Sequence, residues 1–593
     1  MRRRGGARSQ PVAGPAGRWL RGLVAGMVLL TAVGCVRMPA SGPVVETRAD
    51  ANAQVDSPIY INPRPPQAGD SPTAIVRGFL DAMTATPIVT TVARKFLTPD
   101  AAAAWHPERA TIAYGDASTP QGGAIVSVTL SDANRLDARG AWRGPLRHGR
   151  DTLNFPMVFT DADQWRIARV PDALIVPEPW FAQRFHQVSL YFFDPTARIL
   201  VPEPVFVPRG QQQATTLTKA LLQGPGADMG QVMRSFIPPG LNVGLSVPVS
   251  ADGVADIALR GDAGQPTPQA IELMLAQLAW TLRQEPSIRA LRVSIGGQQL
   301  QLPGGVSEVS VDEGSQFDPT GVRASSALFG LRHGRLVSGP PEALQTVDGP
   351  LGGTDYGLTS VAADLSGTVA AGVSGNGGSV LRAPVRGSGS VREVLSGAAD
   401  LLRPAWDASD RLWLVDRADG TARVSYVEGD RTRVLRVPGI SGRDVTGFLV
   451  SRDGSRLVAS VRGRGGDRLV VSRVRHADLG RVTGAGAAHP INEGVGEQQR
   501  IRDIAWASPT TVAVLSVLTN DLSQVRTVSV DGSPPGIDAL STTLRGQVQG
   551  LAGSPRPSES LYAVTRTSLL DLSNAYRGNI AHDAADTSLG YVG

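Results

Sequence analysis

Apolar and polar positions along the chain change period several times, and each change marks a different kind of element. From Ser71 onward Ile75, Val76, Phe79, Leu80 and Met83 recur at helical spacing, and Ser71-Pro72 supplies an N-cap followed by a proline in the first turn. A second helix is predicted over 89–105, with Phe96 and Leu97 on its buried side. The period then falls to two over 124–130, 153–159 and 164–167, which predicts strands. Helices followed by strands predict an α+β domain over 71–185.

The next stretch, 186–303, predicts a second α+β domain. Strands are expected at 188–193 and 199–205 around the turn Asp194-Pro195-Thr196. A helix with Ala214, Leu217, Ala220, Leu221 and Leu222 on one face follows, stopped by Gly224-Pro225-Gly226. Strands at 243–247 and 253–259, a longer helix carrying Ile271, Leu273, Met274, Leu278, Trp280 and Leu282, and a strand at 288–295 complete it. After a link at 304–319 the pattern becomes short strands and tight turns over 320–580, with a tail at 581–593. Units such as Ser451-Arg452-Asp453-Gly454, Ala405-Trp406-Asp407-Ala408-Ser409-Asp410 and Ala505-Trp506-Ala507-Ser508-Pro509 recur about every 43 to 56 residues, the spacing of β-propeller blades, which predicts about six blades. The expected fold is multidomain: two α+β domains and an all-β C-terminal propeller.

Ahead of these domains residues 1–34 hold six arginines, no acid and an apolar run from Leu23 to Val33. A basic leader, an apolar core and small residues form a secretory signal peptide. The apolar run, as helix, would cover roughly 16 Å, too short to span a bilayer core. Ala32-Val33-Gly34-Cys35 resembles a lipobox, with Ala32 where leucine is usual. That resemblance implies cleavage between Gly34 and Cys35 and an N-palmitoyl, S-diacylglycerol Cys35 that anchors the chain to membrane lipid. Cys35 is the only cysteine in 593 residues, so it has no internal disulfide partner. Residues 35–70, rich in proline and small polar residues, read as a tether.

Charge changes the picture once the leader is set aside. The whole chain carries a formal net charge of +5, but the six leader arginines leave 52 basic against 53 acidic residues, a net of −1. A nucleic-acid footprint is therefore excluded. Basic residues other than Lys95 and Lys219 are arginines.

No catalytic pattern emerges. Ser374 and Ser441 lie in Gly-Val-Ser-Gly and Gly-Ile-Ser-Gly and complete no nucleophile elbow. The seven histidines are scattered, Cys35 is committed elsewhere, and no metal or cofactor site is expected. Asp161 with Asp163 and Asp312 with Glu313 read as solvated loop acids, and Trp406, Trp413 and Trp506 as blade core.

Three resemblances add to this. The strands closing the first domain resemble an NTF2-like fold. Leu190-Tyr191-Phe192, Leu200-Val201-Pro202-Glu203-Pro204, Leu222-Gln223-Gly224-Pro225, Ile237-Pro238-Pro239-Gly240 and 275–282 resemble a GerMN domain. With Leu401-Leu402-Arg403-Pro404-Ala405-Trp406 and the domain order, the chain resembles the LpqB family of actinobacterial lipoproteins. The family implies a membrane-anchored, extracytoplasmic, non-enzymatic accessory of a two-component system. Its partner would be the ectodomain of an MtrB-like sensor histidine kinase, with effects on envelope growth and division. The alternative is a peptidoglycan or envelope-glycan binding protein, with or without hydrolytic activity in the GerMN-like domain.

Overall fold

The computed structural model describes residues 62–593 except 148, 150, 211, 227, 228, 263, 265, 303, 492–498, 537, 538 and 575. Gly34 and Cys35, the leader and most of the tether lie outside the described residues. The described chain from Ile61 onward is one compact unit.

Ser71 caps the first helix, Pro72–Ala82, its hydroxyl accepting from the Ala74 N–H at 3.2 Å. Ile75, Val76 and Phe79 are fully buried, and Phe79 packs on Trp105 and Phe155. The helix predicted over 89–105 is instead two short helices, Thr91–Arg94 and Pro99–Ala104. Pro99 has no N–H for a continuous helix, and it pushes Thr98 to extended backbone, where its side chain caps the second helix through Ala101 N–H. Phe96 and Leu97 are buried, and the backbone there bonds to Ile167 instead of continuing a helix. Two sheets complete the domain. In one, Ala110–Tyr114 pairs parallel to Leu174–Pro177; in the other, Ile125–Ser131 pairs antiparallel to Thr152–Thr160.

The second domain is built on a long hairpin, Phe185–Phe193 with Leu200–Pro208, paired in register from Phe185↔Pro208 to Phe193↔Leu200. A two-stranded ribbon leaves an unpaired edge. Here the helix Pro268–Leu282 and the residues just after it cover that edge with side chains that imitate a third strand. Gln277 Nε2 donates to Tyr191 O (3.1 Å), Tyr191 N–H donates to Thr281 Oγ1 (3.2 Å), and Gln284 both accepts from Ser189 N–H (2.8 Å) and donates to Ser189 O (2.6 Å). The spacing 277, 281, 284 puts all three on one helical face. Val254–Arg260 and Ala290–Ile295 run parallel, joined by the same helix, with Ala255, Ile257 and Leu259 turned inward. The strand expected over 243–247 pairs only at Asn242–Val243, and Leu245 is exposed.

Six successive antiparallel sheets follow. Their inner strands are Asp586–Gly590, Leu358–Ala363, Ala405–Trp406, Val445–Val450, Arg500–Ser508 and Gly550–Ala552, and each touches the next around a closed ring. The turn after five of the six inner strands is stapled by a side chain. Asp364 accepts from the N–H groups of Thr368 and Val369 (both 2.7 Å), Asp407 from Ser409 (2.8 Å), Ser451 from Arg456 (3.0 Å), Ser508 from Thr510 (3.2 Å) and Ser554 from Arg556 (3.2 Å). Trp406, Trp413 and Trp506 are buried in blade core, and Trp413 Nε1 donates to Asp407 Oδ2 at 2.9 Å.

Residues 581–593 are not a tail. Asp586–Gly590 is the inner strand of the first blade, beside Leu328–Arg332, and Arg332 holds Asp586 through Nε (2.6 Å) and Nη2 (2.8 Å). Short periodicity hid it, since Asp586, Leu589 and Tyr591 are its few signals. Leu589 is 4% exposed and lies so close to Gly330 that a Cβ there would sit 2.4 Å from its Cδ2. Leu589→Ala should therefore cost about 2–5 kcal/mol, read as a lower urea midpoint of the full chain with the propeller unfolding first.

Candidate functional site

None of the chemistry sought in the sequence assembles into a reactive centre among the described residues. Ser374 Oγ bonds to Asn376 Oδ1 (2.6 Å) and Ser441 Oγ accepts from Val437 N–H (3.0 Å), both within turns. No group of three or more His, Cys, Asp or Glu among the described residues is placed to hold a metal. Burial, with Arg411 nearby, pushes His476 down to about 4, so it is neutral, and its backbone N–H donates to Gln231 O at 2.7 Å. What the structure does bring together is a junction of all three domains.

At its centre stands Glu203, flanked by Pro202 and Pro204 in the hairpin strand Leu200–Pro208. Opposite it, Arg456 and Arg473 are direct partners across two neighbouring strands of the fourth blade. Like charges facing each other on a ladder are destabilising, and the Arg456 side chain is fully buried. Glu203 resolves this from another domain: Arg473 Nη2 lies 2.9 Å from Oε1 and 2.7 Å from Oε2, and Arg456 Nη2 lies 3.0 Å from Oε2. Arg456 also donates to Pro202 O. Burial pushes the Glu203 carboxyl up, but Arg473 and Arg456 outweigh it and hold it below the usual glutamate range. Burial and Arg473 push Arg456 down to about 10, which leaves it charged at neutral pH.

Further contacts widen the junction. Gln187 Nε2 lies 3.0 Å from Ser529 Oγ, 3.2 Å from Asp531 Oδ2 and 3.0 Å from Ser533 Oγ. The link between the domains is pinned by arginines from blade turns: Arg452 Nη1 donates to Thr320 O (2.6 Å), and Arg556 donates to Gly321 O (2.8 Å) and Ala324 O (3.0 Å). The first domain joins through Arg139, which pairs with Asp137 and donates to Gly224 O (3.0 Å). Gly140 O accepts from Phe206 N–H at 2.8 Å, and at φ 82° a Cβ on Gly140 would lie 2.1 Å from Phe206 O, so only glycine fits. Beside the clasp opens a cleft of about 940 Å³, walled by Trp142 and Arg143 of the first domain and by His489, Asp531, Pro534 and Pro535 of the propeller.

Sequence reasoning quoted Glu203 inside a motif but assigned it no partner, and it missed Arg456, Arg473 and Arg452. The available signal was a pair of arginines around a blade turn, Arg452 and Arg456, in a repeat whose other copies carry no such pair.

The domain order and the ring together define a propeller protein with a GerMN-type domain seated against it. The description "Lipoprotein LpqB, N-terminal domain" matches residues 65–182, the Germane description, sporulation and spore germination, matches 189–301, and "Lipoprotein LpqB beta-propeller domain" matches 334–578. The chain belongs to the LpqB family of lipoproteins. It is 27% identical over 570 residues to Lipoprotein LpqB of Thermobifida fusca, covering 86% of this chain and 89% of that one. It is 25% identical over 567 residues to Lipoprotein LpqB of Mycobacterium tuberculosis, covering 88% and 90%. The first GerMN domain of the sporulation protein GerM from Bacillus subtilis is 23% identical, covers 21% of this chain and 94% of its own, and superposes with a TM-score of 0.17. Among the described residues no helix is long and apolar enough to cross a membrane.

Removing the clasp carboxylate leaves the buried Arg456 and part-buried Arg473 guanidinium groups face to face. Glu203→Gln should lower stability by about 3–5 kcal/mol, read by denaturant unfolding. The pH dependence has a fixed sign. A carboxyl held below its unfolded value, near about 4.3, contributes stability that is present above that pH and is lost as pH falls through the folded value. Glu203→Gln should remove this acid-side loss. Asp531, pushed up by burial and further by the Glu203 charge, acts in the opposite sense, and Glu203→Gln relieves the Glu203 part of that shift.

Proposed function

We propose that this chain is a lipid-anchored, non-catalytic accessory protein on the extracytoplasmic face of the cell membrane. In this reading the chain is cut between Gly34 and Cys35, acylated at Cys35, and binds the ectodomain of an MtrB-like sensor histidine kinase, biasing its signalling in envelope growth and division. The observation that carries the reading is the junction built on Glu203. It ties the second domain to the propeller, Arg139 and Gly140 tie the first domain to the second, and the cleft beside it presents Trp142 and Arg143 next to Pro534 and Pro535. Rigid surfaces bind with less ordering cost than mobile ones. A tether of residues 35–70 would hold that surface close to a membrane-bound partner and raise its effective concentration, so a weak contact suffices. Two or three acyl chains anchor stably where one does not.

Two measurements test the two halves separately. Cys35→Ala should move the protein from the membrane fraction to the soluble fraction and abolish labelling by palmitate; retained label would remove the anchor from this residue. The full chain in detergent should retain the purified kinase ectodomain, and not peptidoglycan, in a pull-down. Arg143→Gln at the cleft should weaken that retention roughly tenfold, with the unfolding midpoint recorded alongside because Arg143 also pairs with Asp137. Retention of peptidoglycan alone would favour the glycan-binding alternative.

A further inference from the structure

Along the propeller axis runs a cavity of about 210 Å³ whose wall carries three charged side chains, Arg403, Arg452 and Asp503. Arg452 spends its Nη groups on Thr320 O, Ser554 Oγ and Val592 O, while Arg403 and Asp503, of opposite sign, form no ion pair with each other. Arg403 stands just before the inner strand Ala405–Trp406, and Asp503 lies in the inner strand Arg500–Ser508. Arg403 spends Nε on Val361 O (3.1 Å) and Nη1 on Leu589 O (3.2 Å). Its Nη2 meets no protein acceptor among the described residues and passes over Gly590, where a Cβ would sit 2.2 Å away. Asp503 accepts from Leu551 N–H (2.7 Å) and Ile504 N–H (2.9 Å) and from no cation. The Asp503 carboxylate acts on Arg403 through space, yet the two form no ion pair.

A part-buried guanidinium without a carboxylate still carries a desolvation cost that no partner offsets. Elsewhere in this protein the buried arginines Arg411 and Arg456 each have an acidic partner within 3.3 Å, as does the part-buried Arg473. Arg452 and Arg403 both depart from that pattern and both line this cavity; Arg452 bonds to three oxygens through its Nη groups, whereas Arg403 Nη2 has no acceptor among the described residues. A simple anion would satisfy Arg403 but leave the Asp503 carboxylate without a cation. A ligand carrying both signs satisfies both groups.

We propose that the axial cavity is a binding site for a small zwitterion of the amino-acid type, its carboxylate on Arg403 Nη2 and its ammonium on Asp503. The same chemistry is offered by a free amino acid or by an ω-amino acid, and the separation of the ligand's charges tells them apart. Burial pushes the Asp503 carboxyl up, and the two N–H donors and Arg403 pull it back, so a bound ammonium adds to the forces that keep it ionised.

The test is calorimetry on the full chain in detergent, titrated with glycine, 4-aminobutyrate and 6-aminohexanoate, and with acetate as the single-charge control. At least one of the three zwitterions should bind with a dissociation constant below about 1 mM, more tightly than acetate. Asp503→Asn should weaken that zwitterion roughly tenfold and strengthen acetate, a reversal that a merely destabilised propeller would not produce. Arg403→Gln should abolish both, with its unfolding midpoint recorded alongside; Arg403→Lys, which keeps the charge, should restore part of the acetate binding. No heat from any zwitterion up to about 10 mM, or equal zwitterion affinity in wild type and Asp503→Asn, would overturn the proposal.

Discussion

A row of six sheets has two open edges, and closing it into a ring is the constraint from which the rest of this molecule follows. The closure is made by pairing Asp586–Gly590 with Leu328–Arg332, two segments separated by nearly the whole propeller sequence. Because the ring is closed, its inner strands face one axis, and the turns after them are gathered on one side. Arg452 and Arg556 belong to those turns and Arg456 opens the strand after one of them, and all three reach to the second domain or to the link. Without closure there would be no common surface for them to form.

The electrostatics of the junction show how the domains depend on each other. Arg456 and Arg473 face each other in a ladder that would be unfavourable in an isolated propeller. The carboxylate that makes the pairing tolerable comes from a proline-bracketed strand of another domain. That strand in turn belongs to a ribbon whose open edge is covered by Gln277, Thr281 and Gln284. Each domain therefore supplies what its neighbour lacks, and the same logic extends to the first domain through Arg139 and Gly140.

Periodicity made much of this legible in the sequence. The cap at Ser71, the alternation over 124–130, the two longer helices and the repeat of blade turns all appear where local chemistry is strong. Legibility failed where a single residue overrides a pattern, as Pro99 does in splitting a helix, and where pairing is long-range, as it is for Asp586–Gly590. It failed most at the junction. Glu203 reads as one acid in a strand, and nothing local says that its partners are some 250 residues away. The motif around Arg403 was likewise visible as a string of residues, but the empty space beside it exists only once six sheets surround it.

Ring closure also sets an order of events. Strand Leu328–Arg332 is made early in the propeller sequence, and its sheet stays incomplete until residue 590 follows. Contacts so distant in sequence form slowly, and an unfinished sheet exposes an edge that other chains can pair with. The first blade therefore acts as a checkpoint on chain completeness. A chain interrupted anywhere in blades two to six has no strand to finish the first, so truncated products are marked by an open edge and not by a smaller version of the same ring.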